Sequence, residues 1–282
     1  MRVLVLGGTG VLGRNVIPRL LERGHQVRAL VRGAAQAAAL GRVGVEAVPG
    51  DILNPACLPS AAEGCPAVLH LATAVPRRGG PQDWSINDRI RVDGTRNLLR
   101  AAVAAGVRRY VQQSITFLYG DRGGRMADED APLQVPERLR SAAEMEAMVR
   151  EAPLEWCILR GGAFYGPGTG RDEEWRQNAR DGTLRLPGSG GALVSLIHAV
   201  DMARAVIAAV EAAPAGAVYN VVDDAPVDHR TLYGYIAARA GGPEPLPGGP
   251  EVSSLGCSNA RLRTELGWMP AYPSYRSGLS AD

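Results

Sequence analysis

Short apolar runs alternate with longer amphipathic runs through the first half of the chain. Short runs rich in β-branched residues are typical of buried strands, whereas apolar residues at three- and four-residue spacing are typical of helices. The predicted strands cover residues 3–6, 26–31, 43–48, 67–72 and 109–113. This alternation predicts an α/β fold, a Rossmann doubly wound parallel sheet with helices on both faces.

The second half of the chain has a less regular pattern. We expect helices over residues 84–105, 138–150, 198–211 and 231–240, and strands over residues 156–160 and 218–222. The helix of residues 198–211 is expected to begin near Asp201, because aspartate is a good N-cap. Loops are expected where proline and glycine cluster, over residues 75–82 and 161–168.

A glycine-rich turn follows the first strand. Gly7, Gly10 and Gly13 stand between the apolar run of residues 3–6 and an amphipathic run that begins at Val11. Gly7 permits a tight turn, Gly10 lets the backbone approach a pyrophosphate, and Gly13 lets helix and strand pack closely. The free N–H groups and the dipole at the helix N-terminus favour an anion. The stretch therefore predicts a dinucleotide-binding site.

An arginine at the end of the second strand favours NADP(H) over NAD(H). In a dinucleotide fold this position faces the adenosine ribose, where an acidic residue binds the 2′-hydroxyl and an arginine accommodates a 2′-phosphate. Arg32 occupies it, and Arg14 lies just past the last glycine of the turn. A solvated arginine is the alternative. Asp51, at the next strand end, is either an acceptor for the adenine amino group or a cap for the following helix.

The strand order also predicts where the ligand lies. Ligands of such sheets bind beyond the carboxyl ends of the strands. That rule brings several strand ends to one crevice, namely Gly10, Arg32, Asp51, Ala72, Thr73 and Ser114. We expect an NADP-binding core over residues 1–160, to which residues 190–225 return, and a smaller C-terminal lobe over residues 161–282.

The composition argues against several classes of partner. With 282 residues, 46% hydrophobic residues and a net charge of +2, the chain can bury a core but offers no general attraction for nucleic acid or an anionic membrane. No apolar run reaches membrane-spanning length. The four cysteines lack metal-ligand spacing, so we expect no metal and a reducing, cytoplasmic location. All 31 basic residues are arginine, and the chain contains no lysine.

Further motifs occur in an order that resembles one enzyme family. They are Gly-Asp-Ile-Leu at 50–53, His-Leu-Ala-Thr at 70–73, Val-Asp-Gly-Thr-Arg-Asn-Leu-Leu at 92–99, Leu-Arg-Gly-Gly-Ala-Phe-Tyr-Gly-Pro-Gly at 159–168, Ile-His-Ala-Val-Asp-Met-Ala at 197–203 and Leu-Gly-Trp-Met-Pro at 266–270. With the glycine turn, they make the chain similar to the extended or atypical short-chain dehydrogenases/reductases of the epimerase/dehydratase kind. The resemblance covers nearly the whole chain and implies a Rossmann domain with a small C-terminal substrate lobe.

The resemblance also implies a bound nicotinamide dinucleotide and the residues that contact it. These residues are Gly7, Thr9, Gly10, Val11, Leu12, Gly13, Arg14, Arg32, Asp51, Ile52, Leu71, Ala72, Thr73, Gly161 and Gly162. Many relatives dimerise through helices that correspond to residues 84–105 and 138–150, so the resemblance implies a homodimer.

The catalytic half of the family pattern is missing. Relatives use a serine or threonine, a tyrosine that moves a proton as hydride is transferred, and a lysine four residues later. That lysine lowers the tyrosine pKa and binds the nicotinamide ribose. Aligning Glu146 with the glutamate that usually follows the lysine puts Arg138 at the tyrosine position and Ala142 at the lysine position. The helix asparagine expected near Val92 is Asp93.

Other side chains are therefore the candidates for catalysis and substrate binding. The catalytic candidates are Ser114, Thr116, Tyr119 and Tyr165, and the substrate candidates are Tyr165, His198 and Trp84. The chain is short for an enzyme that binds a nucleotide-sugar, so we expect a small-molecule substrate of the carbonyl or hydroxyl class.

Three functions are compatible with these residues. The first is an NADP(H)-dependent oxidoreductase that reduces or epimerises a small metabolite with a non-standard proton donor. The second is a non-redox isomerase, cyclase or lyase on the same scaffold. The third is a dinucleotide-sensing regulatory protein. The C-terminal lobe that runs on from His198 favours an enzyme.

Overall fold

The structure is a computed structural model that describes residues 1–76 and 82–280. In chain order, its strands are β1 (Arg2–Leu6), β2 (Gln26–Val31), β3 (Glu46–Pro49), β4 (Ala67–His70), β5 (Arg109–Ile115), β6 (Met126–Ala127), β7 (Glu155–Gly161), β8 (Ala163–Tyr165), β9 (Arg185–Pro187), β10 (Leu193–Val194), β11 (Leu196–His198), β12 (Ala217–Val221), β13 (Val227–Asp228), β14 (Leu246–Gly249) and β15 (Gly256–Cys257). Residues 77–81 of the loop predicted over residues 75–82 lie outside the described residues.

The α-helices alternate with the main strands. They are α1 (Val11–Glu22), α2 (Ala34–Gly41), α3 (Leu58–Ala62), α4 (Ser85–Arg89), α5 (Thr95–Ala104), α6 (Arg140–Glu151), α7 (Arg171–Arg180), α8 (Ala199–Ala212), α9 (His229–Ala240), α10 (Ala260–Leu266) and α11 (Tyr275–Ser280). A π-helical turn, Ile90–Gly94, joins α4 to α5, and 3₁₀ turns occur at Pro55–Cys57, Thr116–Tyr119 and Glu137–Leu139.

Seven strands form the central sheet, in the order β12-β7-β5-β4-β1-β2-β3. β1 pairs in parallel with β2 on one side, where Val3 lies opposite Val27, and with β4 on the other, where Val3 lies opposite Ala67. Parallel neighbours need a crossover, and α1 supplies the one between β1 and β2. The strand order reverses direction beside β1, so the Rossmann α/β fold expected from the alternating pattern is confirmed.

Several element boundaries differ from the predictions. The third strand begins at Glu46 rather than at residue 43, because Gly44 has a φ of 82° and turns the chain just before it. Ser114 lies inside β5 rather than beyond its end. The predicted helix of residues 84–105 is formed, but it is interrupted by the π-helical turn Ile90–Gly94.

The loop expected over residues 161–168 contains a strand, so that prediction is wrong for its central part. β8 pairs in parallel with β11, with Tyr165 opposite His198. Three residues are too short a run for an alternation signal to stand out in a Gly- and Pro-rich segment.

The N-cap predicted at Asp201 is also wrong, because α8 begins at Ala199 and Asp201 lies in its first turn. The Asp201 carboxylate instead accepts the backbone N–H groups of Ala271 and Tyr272, at 2.7 and 2.8 Å. Residues so distant in sequence could not be matched by local pattern.

The chain divides into two compact units. The first comprises residues 1–114, 137–159 and 203–218. Its core lies around the central strands, with Leu4, Val68, Leu98 and Tyr110 fully buried. Burial of each such aliphatic side chain stabilises the unit by about 1.5–3 kcal/mol.

The second unit comprises residues 115–136, 160–202 and 219–282. Its main core joins α7, α9 and α11 through Trp175, Leu232, Ile236 and Leu279, all of which are buried. Tyr165 belongs to the same core and is completely buried.

Candidate functional site

The glycine turn leaves the first N–H groups of α1 without a side-chain cap. Gly10 is the N-cap residue, has an extended backbone and provides no capping hydrogen bond. The Gly10 N–H donates to Gly7 O at 3.0 Å, which closes the turn, and Arg14 N–H donates to Gly10 O at 3.0 Å, which starts the helix. Uncapped N–H groups at a helix N-terminus form a site for an anion.

Close backbone contacts explain why the turn needs glycine. A Cβ on Gly13 would lie 2.3 Å from Gly7 O, and one on Gly7, whose φ is 82°, would lie 2.7 Å from Ala72 N. A Cβ on Gly10 would lie 3.2 Å from Gly7 O. The turn therefore packs against α1 and against the segment that follows β4. The contact with a dinucleotide pyrophosphate, expected from the spacing of the glycines, stays a prediction.

The remaining predicted contacts near the adenosine end lie on the same unit. Arg32 directly follows β2, and both Arg32 and Arg14 are exposed, with no ion pair among the described residues. Gln36 of α2 donates to the Thr9 hydroxyl of the glycine turn at 3.4 Å. This bond ties the residues after β2 to the turn, and contact of either arginine with a 2′-phosphate stays a prediction.

Asp51 and its neighbours follow β3. Asp51 Oδ1 accepts the Leu53 N–H at 2.9 Å and so stabilises the local turn, while Ile52 is buried against Gly94. The following helical turn, Pro55–Cys57, is capped by Asn54, whose Oδ1 accepts the Ala56 N–H at 3.2 Å, so the cap expected of Asp51 is supplied by Asn54. The adenine role stays a prediction.

The segment after β4 carries the other predicted contacts of this unit. Leu71 is buried, Ala72 is half-buried against the glycine turn, and Thr73 is exposed. The next residue, Ala74, donates its N–H to Asn87 Oδ1 of α4 at 3.0 Å. Asn87 was not singled out by sequence, because a single polar residue in a helical pattern carries no signal.

All four hydroxyl candidates for catalysis are buried donors to protein acceptors. Ser114 Oγ donates to Glu146 Oε1 at 2.6 Å, and Thr116 Oγ1 donates to Gly161 O at 3.4 Å. Tyr119 donates to Asn220 Oδ1 at 2.8 Å, and Tyr165 donates to Ser274 O at 3.2 Å. Each proton is therefore already engaged within the protein.

The two phenols differ in their electrostatic surroundings. Burial raises the pKa of Tyr119 to about 12, although the Arg160 guanidinium opposes this shift by donating to the phenol oxygen at 2.9 Å. Burial also raises the pKa of Tyr165, and the nearby carboxyl groups of Asp223, Asp201 and Asp172 add to the effect. Neither phenol gives up its proton readily near neutral pH.

The substrate candidates lie in contrasting surroundings. His198 is buried, its ring centroid lies 3.9 Å from that of Tyr272 and 5.2 Å from that of Tyr165, and its Nδ1 accepts the Val200 N–H at 3.3 Å. Trp84, in the first unit, is 38% exposed at the start of α4. An exposed indole is free to contact a ligand, whereas His198 is held by ring packing.

Packing in the second unit leaves no room for a side chain at Gly161, the last residue of β7, or at Gly162. A Cβ on Gly162 would lie 2.6 Å from Ser195 O, and one on Gly161 would lie 2.8 Å from the Phe164 ring. The Gly162 N–H donates to Val221 O at 3.0 Å. Their predicted contact with the cofactor stays a prediction.

Asp223 is a buried acid that the sequence pattern did not single out. It is 1% exposed, its Oδ1 accepts the Ala225 N–H at 3.2 Å, and its Oδ2 has no hydrogen-bond partner among the described residues. Burial raises its pKa to about 8, with a smaller contribution from Asp224 and Asp201. A carboxyl of this kind is protonated near neutral pH. The one sign of this acid in the sequence is its position just after the mainly apolar run that forms β12.

The described residues also bear on metal binding and membrane insertion. Within residues 1–76 and 82–280, no cluster of histidine, cysteine, aspartate or glutamate side chains could hold a metal ion. In the same residues, every helix is too short or too polar to cross a bilayer.

A family model described as NAD(P)H-binding matches residues 7–213, beginning at the first glycine of the turn. The chain belongs to this NAD(P)H-binding family. Together with its structural neighbours, the match identifies the protein as an atypical short-chain dehydrogenase/reductase of the epimerase/dehydratase kind, as the motifs indicate. It lacks the tyrosine and lysine of that family's catalytic motif.

Relatives of this NAD(P)H-binding protein are named as reductases. It is 38% identical to a 3-diazoavenalumate denitrifying reductase from a Streptomyces species, over 100% of both chains. It is 28% identical to a 4-hydroxy-2-methyl-3-oxo-4-farnesyl-3,4-dihydroquinoline-1-oxide ketoreductase from Stigmatella aurantiaca, over 98% of this chain and 84% of the relative.

Solved structures show the same fold. A dTDP-glucose 4,6-dehydratase from Streptomyces venezuelae with bound NAD superposes with a TM-score of 0.86 and 25% identity, covering 99% of this chain and 95% of the other. A UDP-glucose 4-epimerase from Thermotoga maritima has a TM-score of 0.84 at 20% identity, covering 99% and 96%, a likeness that shows the fold alone.

Replacing Gly13 by alanine tests the glycine turn. Because the new Cβ would meet backbone atoms within 2.6 Å, we expect Gly13→Ala to weaken NADPH binding at least tenfold and to lower the melting temperature. Fluorescence titration and thermal denaturation measure the two effects.

Gly41→Ala is the matched control for this test. Gly41 ends α2, and a Cβ there meets nothing within 4 Å, so we expect unchanged binding and equal or slightly greater stability. Wild-type affinity in Gly13→Ala would show that the turn does not hold the dinucleotide.

Proposed function

We propose that this protein is an NADPH-dependent reductase that acts on a diazo compound and supplies no acid of its own for the reaction. The observation that carries the proposal is the engagement of all four candidate hydroxyls in buried hydrogen bonds within the protein. The absence of lysine from the whole chain removes the usual means of lowering a tyrosine pKa.

The dinucleotide is proposed to lie on the glycine turn and to be NADPH. The uncapped N-terminus of α1 would hold the pyrophosphate, and the exposed arginines Arg32 and Arg14 would face a 2′-phosphate. When bound, the reduced dinucleotide supplies a hydride. An acidic residue in place of Arg32 would have supported NAD instead.

The choice of acceptor follows from whether the reaction consumes a proton. A carbonyl group that accepts hydride at carbon becomes an alkoxide and needs one proton from a neighbouring acid. An aryl diazonium group that accepts hydride loses dinitrogen as its carbon–nitrogen bond breaks, and hydrogen takes its place on carbon. Atoms and charge balance there without a further proton.

The relative that matches this chain over its full length supports that acceptor. Its name describes a denitrifying reductase of a diazo compound. A reaction of this kind is compatible with a site in which Arg138 and Ala142 replace the family's tyrosine and lysine. The protein's part would be to bind and orient the two reactants, which by itself contributes much of the rate.

Reduction of a small ketone is the second candidate. Two relatives are named as a ketoreductase and a 2-alkyl-3-oxoalkanoate reductase. The observation in its favour is the pairing of Tyr119 with Arg160, whose guanidinium donates to the phenol oxygen and lies 5.0 Å from the ring centroid. In this reading Tyr119, or Tyr165, would be the proton donor and Arg160 would replace the missing lysine.

Charge reversal at Arg32 tests the cofactor preference. We expect Arg32→Asp to weaken NADPH binding by about tenfold or more, because attraction to the 2′-phosphate becomes repulsion, and to leave NADH binding within about twofold. Arg42→Asp makes the same charge change at another exposed arginine and is the control. Equal losses for NADPH and NADH in Arg32→Asp would refute the 2′-phosphate role.

Removal of the phenol hydroxyls separates the two candidate reactions. If the acceptor is a diazo compound, Tyr119→Phe and Tyr165→Phe should each retain turnover of an aryl diazonium compound within about threefold. Loss of a general acid would instead lower ketone reduction by about 10²–10⁴-fold. Rates should be compared below the melting temperature of each variant, since loss of the Tyr119 hydrogen bonds costs about 1–3 kcal/mol.

A broad substrate panel covers the other functions. Binding of NADPH without turnover of any diazo or carbonyl compound would favour a non-redox enzyme or a dinucleotide sensor over a reductase. Loss of diazo turnover in Tyr119→Phe would favour the ketone reading.

A further inference from the structure

The missing lysine leaves the nicotinamide end of the dinucleotide without its usual cation. In relatives that lysine binds the nicotinamide ribose, and its position in this chain is Ala142 on α6, which is completely buried. A permanently charged replacement must be an arginine, because the chain contains no lysine. It must also lie beside this part of α6, within the first unit.

Arg91 meets both conditions. It lies in the π-helical turn Ile90–Gly94 and is only 9% exposed. Its Nη1 donates to the Ser141 hydroxyl at 3.3 Å, and Ser141 directly precedes Ala142 on α6. π-Helical turns inside helices occur often at functional sites.

The charge of Arg91 is only partly compensated by its acidic neighbour. Asp88 Oδ1 lies 3.9 Å from Nη1 and accepts the Ser141 hydroxyl at 2.6 Å, so its closer partner is the serine. Burial lowers the pKa of Arg91, and Asp88 opposes that shift. A guanidinium stays protonated in proteins. The first unit therefore holds a mostly buried positive charge next to the lysine position.

Asn87 lies one helical turn before Arg91 and presents a donor on the same face. It is completely buried, and its Oδ1 accepts the Ala74 N–H at 3.0 Å. Its Nδ2 has no hydrogen-bond partner among the described residues. A buried amide donor without an acceptor lowers the stability of the fold by about 1–3 kcal/mol. A donor in such a position indicates that a bound ligand supplies the acceptor.

This polar face continues into the glycine turn through the segment after β4. Asn87 accepts the N–H of Ala74. Ala72, in the same segment, contacts Gly7 so closely that a Cβ on Gly7 would lie 2.7 Å from Ala72 N. The dinucleotide-binding turn, Ala72–Ala74, Asn87 and Arg91 are thus consecutive neighbours within one unit.

We propose that Asn87 and Arg91 bind the ribose beside the nicotinamide and replace the family's lysine in that task. The proposal rests on the dinucleotide binding of the proposed function. Asn87 Nδ2 would donate to a ribose oxygen, and the Arg91 guanidinium would donate to the ribose hydroxyls and supply the positive charge. The two residues are cofactor-binding residues in this scheme, independent of which acceptor is reduced.

A half-molecule of the cofactor localises the contact. NADPH carries the nicotinamide ribose, whereas 2′-phosphoadenosine 5′-diphosphate ends before it. We expect Arg91→Gln to raise the dissociation constant of NADPH about tenfold and to leave that of the half-molecule within about twofold. Arg91→Lys should recover most of the loss, because it restores the charge. Fluorescence and calorimetric titrations of the purified full chain provide both constants.

Asn87→Asp tests the donor separately from folding. Aspartate can still accept the Ala74 N–H, but it replaces the Nδ2 donor by an oxygen. We expect weaker NADPH binding and binding of the half-molecule within about twofold of the wild type. This pattern would not arise if Asn87 had only a structural role.

Arg96→Gln is the matched control. Arg96 also bridges to α6, through Glu144 at 3.3 Å, and pairs with Asp93 at 2.9 Å, but its side chain is 39% exposed. We expect it to bind both probes as the wild type does. Equal losses of NADPH and half-molecule in Arg91→Gln, or no loss of either, would overturn the proposal while leaving the proposed function standing. A wild-type protein that binds neither NADPH nor NADH would overturn both.

Discussion

Backbone contact at the glycine turn is the constraint on which the candidate site depends. Gly13 lies so close to Gly7 and Gly8 that no Cβ fits, and Gly7 touches the segment after β4. These contacts bring the start of α1 and the ends of β1 and β4 together, so the uncapped N–H groups lie at one edge of the parallel sheet. Packing that excludes a larger residue thus leaves N–H donors at the start of α1 without a side-chain cap, where the proposed function puts the pyrophosphate.

The chemistry of the candidate residues is limited because their hydroxyl protons are already donated to acceptors within the protein. Ser114, Tyr119 and Tyr165 each donate to an acceptor supplied by the protein, and burial holds both phenol pKa values above their usual range. A reductase with this arrangement works best on an acceptor that takes hydride without needing a protein acid. Under the proposed diazo reduction, the family's tyrosine and lysine would not be needed, because the acceptor would take hydride without a proton from the protein.

Sequence reasoning succeeded where local pattern and local physics coincide. The glycine spacing, the run of β2 and the alternation of strand and helix each depend on neighbouring residues, and the fold and family they predict are confirmed. It failed where a residue's partner lies far away in sequence. Asp201 bonds to Ala271 and Tyr272, and β8 exists because it pairs with β11. The buried surroundings of Arg91 and Asp223 likewise arise from tertiary packing, which single-sequence patterns do not carry.

The central claim is tested most directly by the stoichiometry of NADPH oxidation and dinitrogen release with an aryl diazonium compound. A reaction mixture without the protein measures any uncatalysed reduction. The account predicts one NADPH oxidised and one dinitrogen released for each diazo compound consumed, with ketones of similar size reduced far more slowly. NADPH binding without diazo-dependent oxidation, or oxidation supported by ketones alone, would contradict it.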